Sequence, residues 1–209
     1  MITPPIELLK IFKETNGAMS VTEAVALYGV ILEAPRGVYC ELGVHKGKSA
    51  TIMVAAMRGK EVVLVEPEFT DEKWLSETIA TIQRAAKEPL LILPLADYST
   101  NVLPDMAELA YCMVDSGSHQ DGLPMQEVKM LEDKMIDGGV IAFHDWNSQF
   151  QEVKEAADYL VKTGKYEYIE IPWQEIVAYI NENSLEEGNL SWHHTELKNP
   201  SFLAAVKKK

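Results

Sequence analysis

The sequence predicts an α/β fold: a three-layer arrangement around a mostly parallel sheet, with an antiparallel hairpin at its C-terminal edge. Three observations carry this. From residue 38 onward, short apolar runs of strand length alternate with longer segments of helical periodicity. The first run, Val38-Tyr39-Cys40-Glu41-Leu42, turns through Gly43 and Gly47 into a segment that opens a helix at Lys48. An acid closes, or closely follows, each of the first five runs: Glu41, Glu66, Asp97, Asp115 and Asp145.

The elements follow in order. Ile6 to Phe12 gives a short amphipathic helix after Pro4-Pro5. Ser20-Val21-Thr22-Glu23 has the spacing of a capping box and starts a second helix, which Pro35-Arg36-Gly37 ends. Strand one is Val38 to Glu41, and its helix runs from Lys48 to about Arg58. Strand two, Glu61 to Glu66, precedes a helix from Asp71 to about Lys87. Strand three is Leu90 to Leu93, and strand four is Tyr111 to Asp115. Pro124 suits the first turn of a helix that reaches Met135. Gly138-Gly139 precedes strand five, Val140 to Phe143, and another helix reaches about Thr163. Tyr166 to Ile171 and Glu175 to Ile180 read as the two strands of the edge hairpin. The expected organisation is one domain over 1–209: an N-terminal helical cap (1–36), a core (37–183) and a polar C-terminal extension (184–209).

Composition narrows the function. A chain of 209 residues, 47% hydrophobic and 24% charged, suits a soluble globular domain with a sizeable core. A net charge of -13 disfavours nucleic-acid backbones and anionic membranes as partners. Lys207-Lys208-Lys209 is only a short basic tail. Cys40 and Cys112 fall in apolar runs and read as small core residues, not as a disulfide or metal pair. With no leader-like or membrane-spanning run, a cytoplasmic location is expected.

The glycine turn has two candidate ligands. Gly43-x-x-x-Gly47-Lys48-Ser49 resembles a phosphate-binding loop, but is one residue short of the spacing that ATP requires. Glu41 at its mouth would repel a triphosphate and attract the ammonium and sulfonium of S-adenosylmethionine. Spacing and charge therefore favour the methyl donor, with ATP as the alternative. A tight strand-to-helix turn without ligand is the plainer reading. The candidate ligand contacts in this turn are Glu41, Gly43, His45, Gly47 and Ser49.

In such a sheet, ligands bind outside the carboxyl ends of the strands. Glu66 stands about twenty residues past the glycines, where an acid takes ribose hydroxyls. Asp97 is placed to accept from an adenine amino group. Asp115 and Asp145 close neighbouring strands and are candidates to share Mg²⁺ or another divalent cation. Such an ion would orient a substrate hydroxyl and lower its pKa. His144, beside Asp145, is a candidate proton acceptor, and equally a ring hydrogen-bonded near the sheet edge.

On Glu41 to Gly47 (Glu-x-Gly-x-x-x-Gly) and Gly138 to Asp145 (Gly-Gly-x-x-x-x-His-Asp), the chain resembles the class I S-adenosylmethionine-dependent methyltransferases. The likeness is to their small-molecule O-methyltransferase branch, and it covers about Gly37 to Asn181. It implies a Rossmann-like sheet and a donor whose methionine part faces Glu41 and Gly43. It also implies a ribose held by Glu66, an adenine near Asp97, and cofactor or metal contacts at Asp115 and Asp145.

Two departures stand out. Relatives read Asp-Gly-x-His after strand four, whereas this chain reads Asp115-Ser116-Gly117-Ser118-His119. Either one residue is inserted or Ser116 takes the place of the acid; the apolar run ending at Asp115 favours insertion. Catechol-type relatives have Asn directly after the fifth-strand acid, where this chain has Trp146 and then Asn147.

The expected activity is methyl transfer to a hydroxyl of a small molecule such as a sugar or phenolic metabolite, with His144 and Asp145 at the reacting end. Trp146, Trp173 and Trp192 are candidate pocket walls, and the N-terminal helices are candidates to pair two subunits. The rival readings are an ATP-binding protein and a non-catalytic module that keeps the fold for binding or assembly.

Overall fold

Seven strands line up in the order β3-β2-β1-β4-β5-β7-β6 in the computed structural model, which describes residues 2–117, 119–146, 150–185 and 203–209. β1 is Val38–Leu42, β2 Glu61–Val65, β3 Leu91–Leu95, β4 Leu109–Val114 and β5 Met135–Phe143. These five run parallel. β6 (Tyr166–Tyr168) and β7 (Ala204–Lys208) complete the sheet, and β7 pairs antiparallel with both β5 and β6. The strand order reverses between β1 and β4. A crevice opens there at the strands' carboxyl ends, the place where such sheets bind ligands.

Alternation along the strands builds two cores. Tyr39, Val62, Leu64, Tyr111 and Met113 face one side, with α1 (Ile6–Glu14), α2 (Val21–Glu33), α3 (Lys48–Ala56) and α4 (Glu72–Ala85). Cys40, Leu42, Val63, Cys112 and Val114 face the other, with α6 (Leu123–Leu131) and α7 (Gln151–Lys162). α5 (Ser99–Val102) is a single turn. Cys40 and Cys112 are buried and free, as expected of small core residues.

Helix α2 begins with the capping box: the Glu23 amide donates to Ser20 Oγ at 3.1 Å, and the Ser20 amide donates to Glu23 Oε2 at 2.8 Å. α1 and α2 pack on α3 of the same chain. They bury Leu9, Phe12, Val25 and Ile31.

The C-terminal edge differs from expectation in its parts. Glu175–Ile180 does not form a strand; it lies within helix α8 (Trp173–Glu182). Ile176 is buried, and Trp173, Tyr179 and Ile180 pack on the core beside it. Their spacing of three to four residues is helical, and it outweighs the local β-branched content. The antiparallel edge is supplied instead by Ala204–Lys208, from the segment expected to be a polar extension. Lys207 and Lys208 are therefore sheet residues: Lys207 pairs with Glu33, and Lys208 donates to the Met135 carbonyl. β5 begins earlier than expected, so Gly138-Gly139 lies inside it. Gly138 takes φ +74 where the β4–β5 register shifts. Trp192 and His193-His194 lie outside the described residues. No helix among the described residues is long and apolar enough to cross a membrane.

Candidate active site

A cavity of about 840 Å³ opens over the carboxyl ends of β1, β2, β4 and β5. Its volume suits a drug- or cofactor-sized ligand. Its floor begins at the glycine turn. Gly43 has φ +82, and a Cβ there would lie 2.2 Å from the Asp115 carbonyl oxygen, so only glycine lets the turn pass β4. Gly47, at φ +78, caps α3 with its back to Thr78 and Ile82 and does not line the cavity.

Glu41 is fully buried beneath the turn. It accepts from the Ser49 hydroxyl, and its Oε2 has no partner among the described residues. Burial pushes its pKa up to about 8 against the Ser49 hydrogen bond, and the carboxylates of Asp115 and Glu66 add to the rise. Gly43, His45 and Ser49 reach the cavity wall.

Glu66 directly follows β2 and faces the cavity. Its Oε2 accepts from the His45 amide at 2.7 Å, and its Oε1 from the Glu68 amide at 3.2 Å. A carboxylate offers about four lone-pair sites, so each oxygen can still take a ligand hydroxyl. His45 sits at φ +48, held by this bond, while its carbonyl accepts from the Trp74 indole at 2.8 Å.

Asp97 is placed differently from expectation. Its carboxylate is exposed and lies outside the cavity lining, accepting from the Tyr98 amide at 2.7 Å and the Asn101 side chain at 2.8 Å. The Asn101 hydrogen bond, then that of Tyr98, holds its pKa below the usual carboxylate value. It ties the Asn101 side chain of α5 to the chain just before that turn. Tyr98, Ser99 and Thr100 meet the cavity there instead.

The far end of the cavity gathers Asp115, His119 and Asp145. His119 Nε2 lies 3.4 Å from Asp115 Oδ1 and 3.3 Å from Asp145 Oδ2. One ligand atom from each of the three falls within 4.8 Å of the others. Atoms that share an ion at about 2.0–2.2 Å stand roughly 3.0–3.6 Å apart, so the set fits a divalent cation. Asp145 and His119 both adopt left-handed backbone, φ +59 and +55. Such strain persists where the surroundings enforce it and is common at functional sites. Asp115, not Ser116, faces Asp145; Ser116 turns inward to donate to Glu127.

His144 is buried behind this cluster. Its Nδ1 lies 3.2 Å from Asp115 Oδ1 and 3.5 Å from Asp145 Oδ2, and its Nε2 lies 3.3 Å from Glu23 Oε1. Burial acts to lower its pKa, but the Asp115 and Glu23 carboxylates outweigh it and hold the pKa well above the ordinary histidine value. Both ring nitrogens face acids, so the ring stands between Glu23 and the Asp115 and Asp145 carboxylates at the cavity lining.

The sequence pattern missed several residues. Gly17, Ala18 and Met19, between α1 and α2, form one wall. Lys48 is buried on that side, its Nζ 3.4 Å from the Gly17 carbonyl. Glu127 lies behind Ser116 and Ser99, and burial lifts its pKa to about 7 despite those hydroxyls. Phe150 packs on His119 with ring centroids 5.0 Å apart and the planes tilted by 53°. Helical spacing within α6 was the only signal for Glu127; nothing local pointed to Gly17. Trp146 and Trp173 pack on the two cores.

Comparison with known proteins agrees with the fold. The chain resembles an O-methyltransferase from Bacillus cereus solved in complex with SAH, at 13% identity and TM-score 0.60, over 100% of this chain and 93% of that one. It resembles an SAH-bound methyltransferase from Podospora anserina at 12% identity and TM-score 0.61, over 100% and 90%. A ribosomal RNA methylase from Streptococcus thermophilus matches at 14% identity and TM-score 0.55, over 100% and 98%. At such identities the likeness is one of fold. No curated protein matches significantly. The sequence model of one family, described as a methyltransferase domain, matches residues 40–146, just over half the chain and the whole span from the glycine turn to the His144-Asp145 pair; the chain belongs to that methyltransferase family.

Proposed function

We propose that the protein transfers the methyl group of S-adenosylmethionine to a hydroxyl of a small molecule, with a divalent cation held by Asp115, His119 and Asp145. The observation that carries this is one continuous cavity with two differently built ends. At one end stand the glycine turn and Glu66, with Glu41 buried beneath the turn, which match the needs of a ribose-bearing donor. At the other stands an oxygen- and nitrogen-bearing ligand set at ion-sharing distances. The SAH found in two of the fold's neighbours supports the donor half of the reading.

The chain's own residues would divide the work. Glu66 would bind the ribose hydroxyls, while Gly43 lets the donor approach the backbone. Glu41, whose Oε2 has no partner among the described residues, would lie beneath the donor's ammonium side. The ion, when bound, would lower the pKa of an acceptor hydroxyl. In the transfer, the acceptor oxygen bonds to the methyl carbon as the sulfur–carbon bond breaks. The sulfonium becomes a neutral thioether, and the hydroxyl proton leaves to an acid of the cluster and on to solvent. In-line placement supplies most of the acceleration. The acids Glu66, Glu68, Asp115 and Asp145 around the cavity disfavour a polyphosphate, which argues against ATP and nucleic-acid acceptors.

The test is calorimetric titration with S-adenosylhomocysteine, with and without Mn²⁺ or Mg²⁺, followed by labelled-methyl transfer to a panel of hydroxylated small molecules and to RNA. Binding of the homocysteine product with transfer to a hydroxyl supports the reading. A preference for ATP, or transfer to RNA alone, overturns it.

A further inference from the structure

A capping-box glutamate normally sits at a helix surface and spends its carboxylate on the cap. Glu23 is only 3% exposed, and half of its carboxylate points elsewhere. Oε2 closes the box with the Ser20 amide, while Oε1, with no aligned hydrogen-bond donor among the described residues, lies 3.3 Å from His144 Nε2, at ion-pair distance. The same imidazole reaches Asp115 Oδ1 and Asp145 Oδ2 through Nδ1, at 3.2 and 3.5 Å. Those are the two oxygens that face His119. Starting a helix does not require this arrangement, since glutamine closes the same box without burying a charge. A buried carboxylate is retained at a cost unless it is paired.

We propose that Glu23 is a positioning residue of the cation site: through His144 it fixes the orientation of the Asp115 and Asp145 carboxylates. The inference rests on the cation reading of the Asp115–His119–Asp145 cluster. The logic is that of an outer shell. Ligating carboxylates are themselves held by hydrogen bonds, and losing such a partner costs about 10–100-fold in metal affinity. His144 can hold both acids in place only if its ring is prevented from turning, and Glu23 is the group behind the ring. The N-terminal helical cap thereby becomes part of the ion site, although none of its residues touches the ion.

The experiment is Mn²⁺ titration of the full chain by calorimetry, for wild type, Glu23→Gln and Ser20→Ala, with S-adenosylhomocysteine binding measured in each. Glu23→Gln should weaken Mn²⁺ binding about 10–100-fold and leave S-adenosylhomocysteine affinity unchanged. Ser20→Ala weakens the same helix start but leaves Glu23 facing His144, so its Mn²⁺ affinity should match wild type. Unchanged Mn²⁺ affinity in Glu23→Gln overturns the inference, as does an equal loss in Ser20→Ala. Wild type that binds no Mn²⁺ overturns the cation reading and the inference together. Should Glu23→Gln fail to fold, His144→Asn reads the link from its other end. It should show the same loss, and unchanged Mn²⁺ affinity there would overturn the inference.

Discussion

Glu66 Oε2 accepts the backbone N–H of His45 at 2.7 Å, tying the end of β2 to the turn that follows β1. One carboxylate thus shapes the loop and faces the cavity. Glu66→Ala should remove both functions. Hydrogen bonds to a charged group contribute about 1.5–3 kcal/mol, so S-adenosylhomocysteine affinity should fall about 10–100-fold in calorimetry. Asp97→Ala is the contrast: it removes only an exposed carboxylate bound to the Tyr98 amide and the Asn101 side chain, and should leave that affinity unchanged.

In the proposed cation site, His119 would add a nitrogen to an otherwise oxygen ligand set. Imidazole suits transition ions better than Mg²⁺, so Mn²⁺, Co²⁺ or Zn²⁺ should bind more tightly than Mg²⁺. His119→Ala should lower Mn²⁺ affinity by at least about 10-fold, more than it lowers Mg²⁺ affinity. Competition calorimetry measures both.

Glu41 should give stability a slope with pH. Its folded pKa is about 8 against an ordinary value of 4.5. Between those limits the folded protein keeps a proton that the unfolded chain has released, so stability from this group is full below about pH 4.5 and is lost as pH rises toward 8. Glu127, lifted to about 7, acts in the same direction over a narrower window. Glu41→Gln should therefore raise the melting temperature at pH 8 more than at pH 5. Thermal unfolding at the two pH values checks this; equal gains at both would contradict it.

Binding should reverse part of that shift. A donor ammonium near Glu41 favours the carboxylate, so S-adenosylhomocysteine binding at pH 7 should release protons. Calorimetry in buffers of different ionisation enthalpy counts them, and Glu41→Gln should bring the count toward zero.

Gly43→Ala tests the turn itself. At φ +82, with a Cβ 2.2 Å from the Asp115 carbonyl, alanine should destabilise the protein by at least ~1–3 kcal/mol. Chemical denaturation would measure it, and a smaller effect would mean that the β1 turn and β4 can separate without loss.

Much of this site was legible in the chain. The Ser20–Glu23 box, the Gly43 turn and the acids at the ends of β1, β2, β4 and β5 are short-range patterns, set by strand alternation, capping spacing and backbone freedom within a few residues. Asp97 stands outside the cavity lining because the Tyr98 amide and the Asn101 side chain engage its carboxylate, a local engagement that no strand-end pattern records. α8 misled because its β-branched residues outweighed a helical spacing that shows its purpose only when Ile176 meets the core.

By itself the sequence determined the fold class, the turn that opens the cavity and the identities of Asp115 and Asp145, because each depends on local periodicity or on one strand's end. Tertiary structure decided which of these groups meet. It placed Glu23, more than a hundred residues away in the chain, against His144, and seated β7 between β5 and β6. Such contacts depend on how a sheet and its helices close on one another, and no local pattern records that closure.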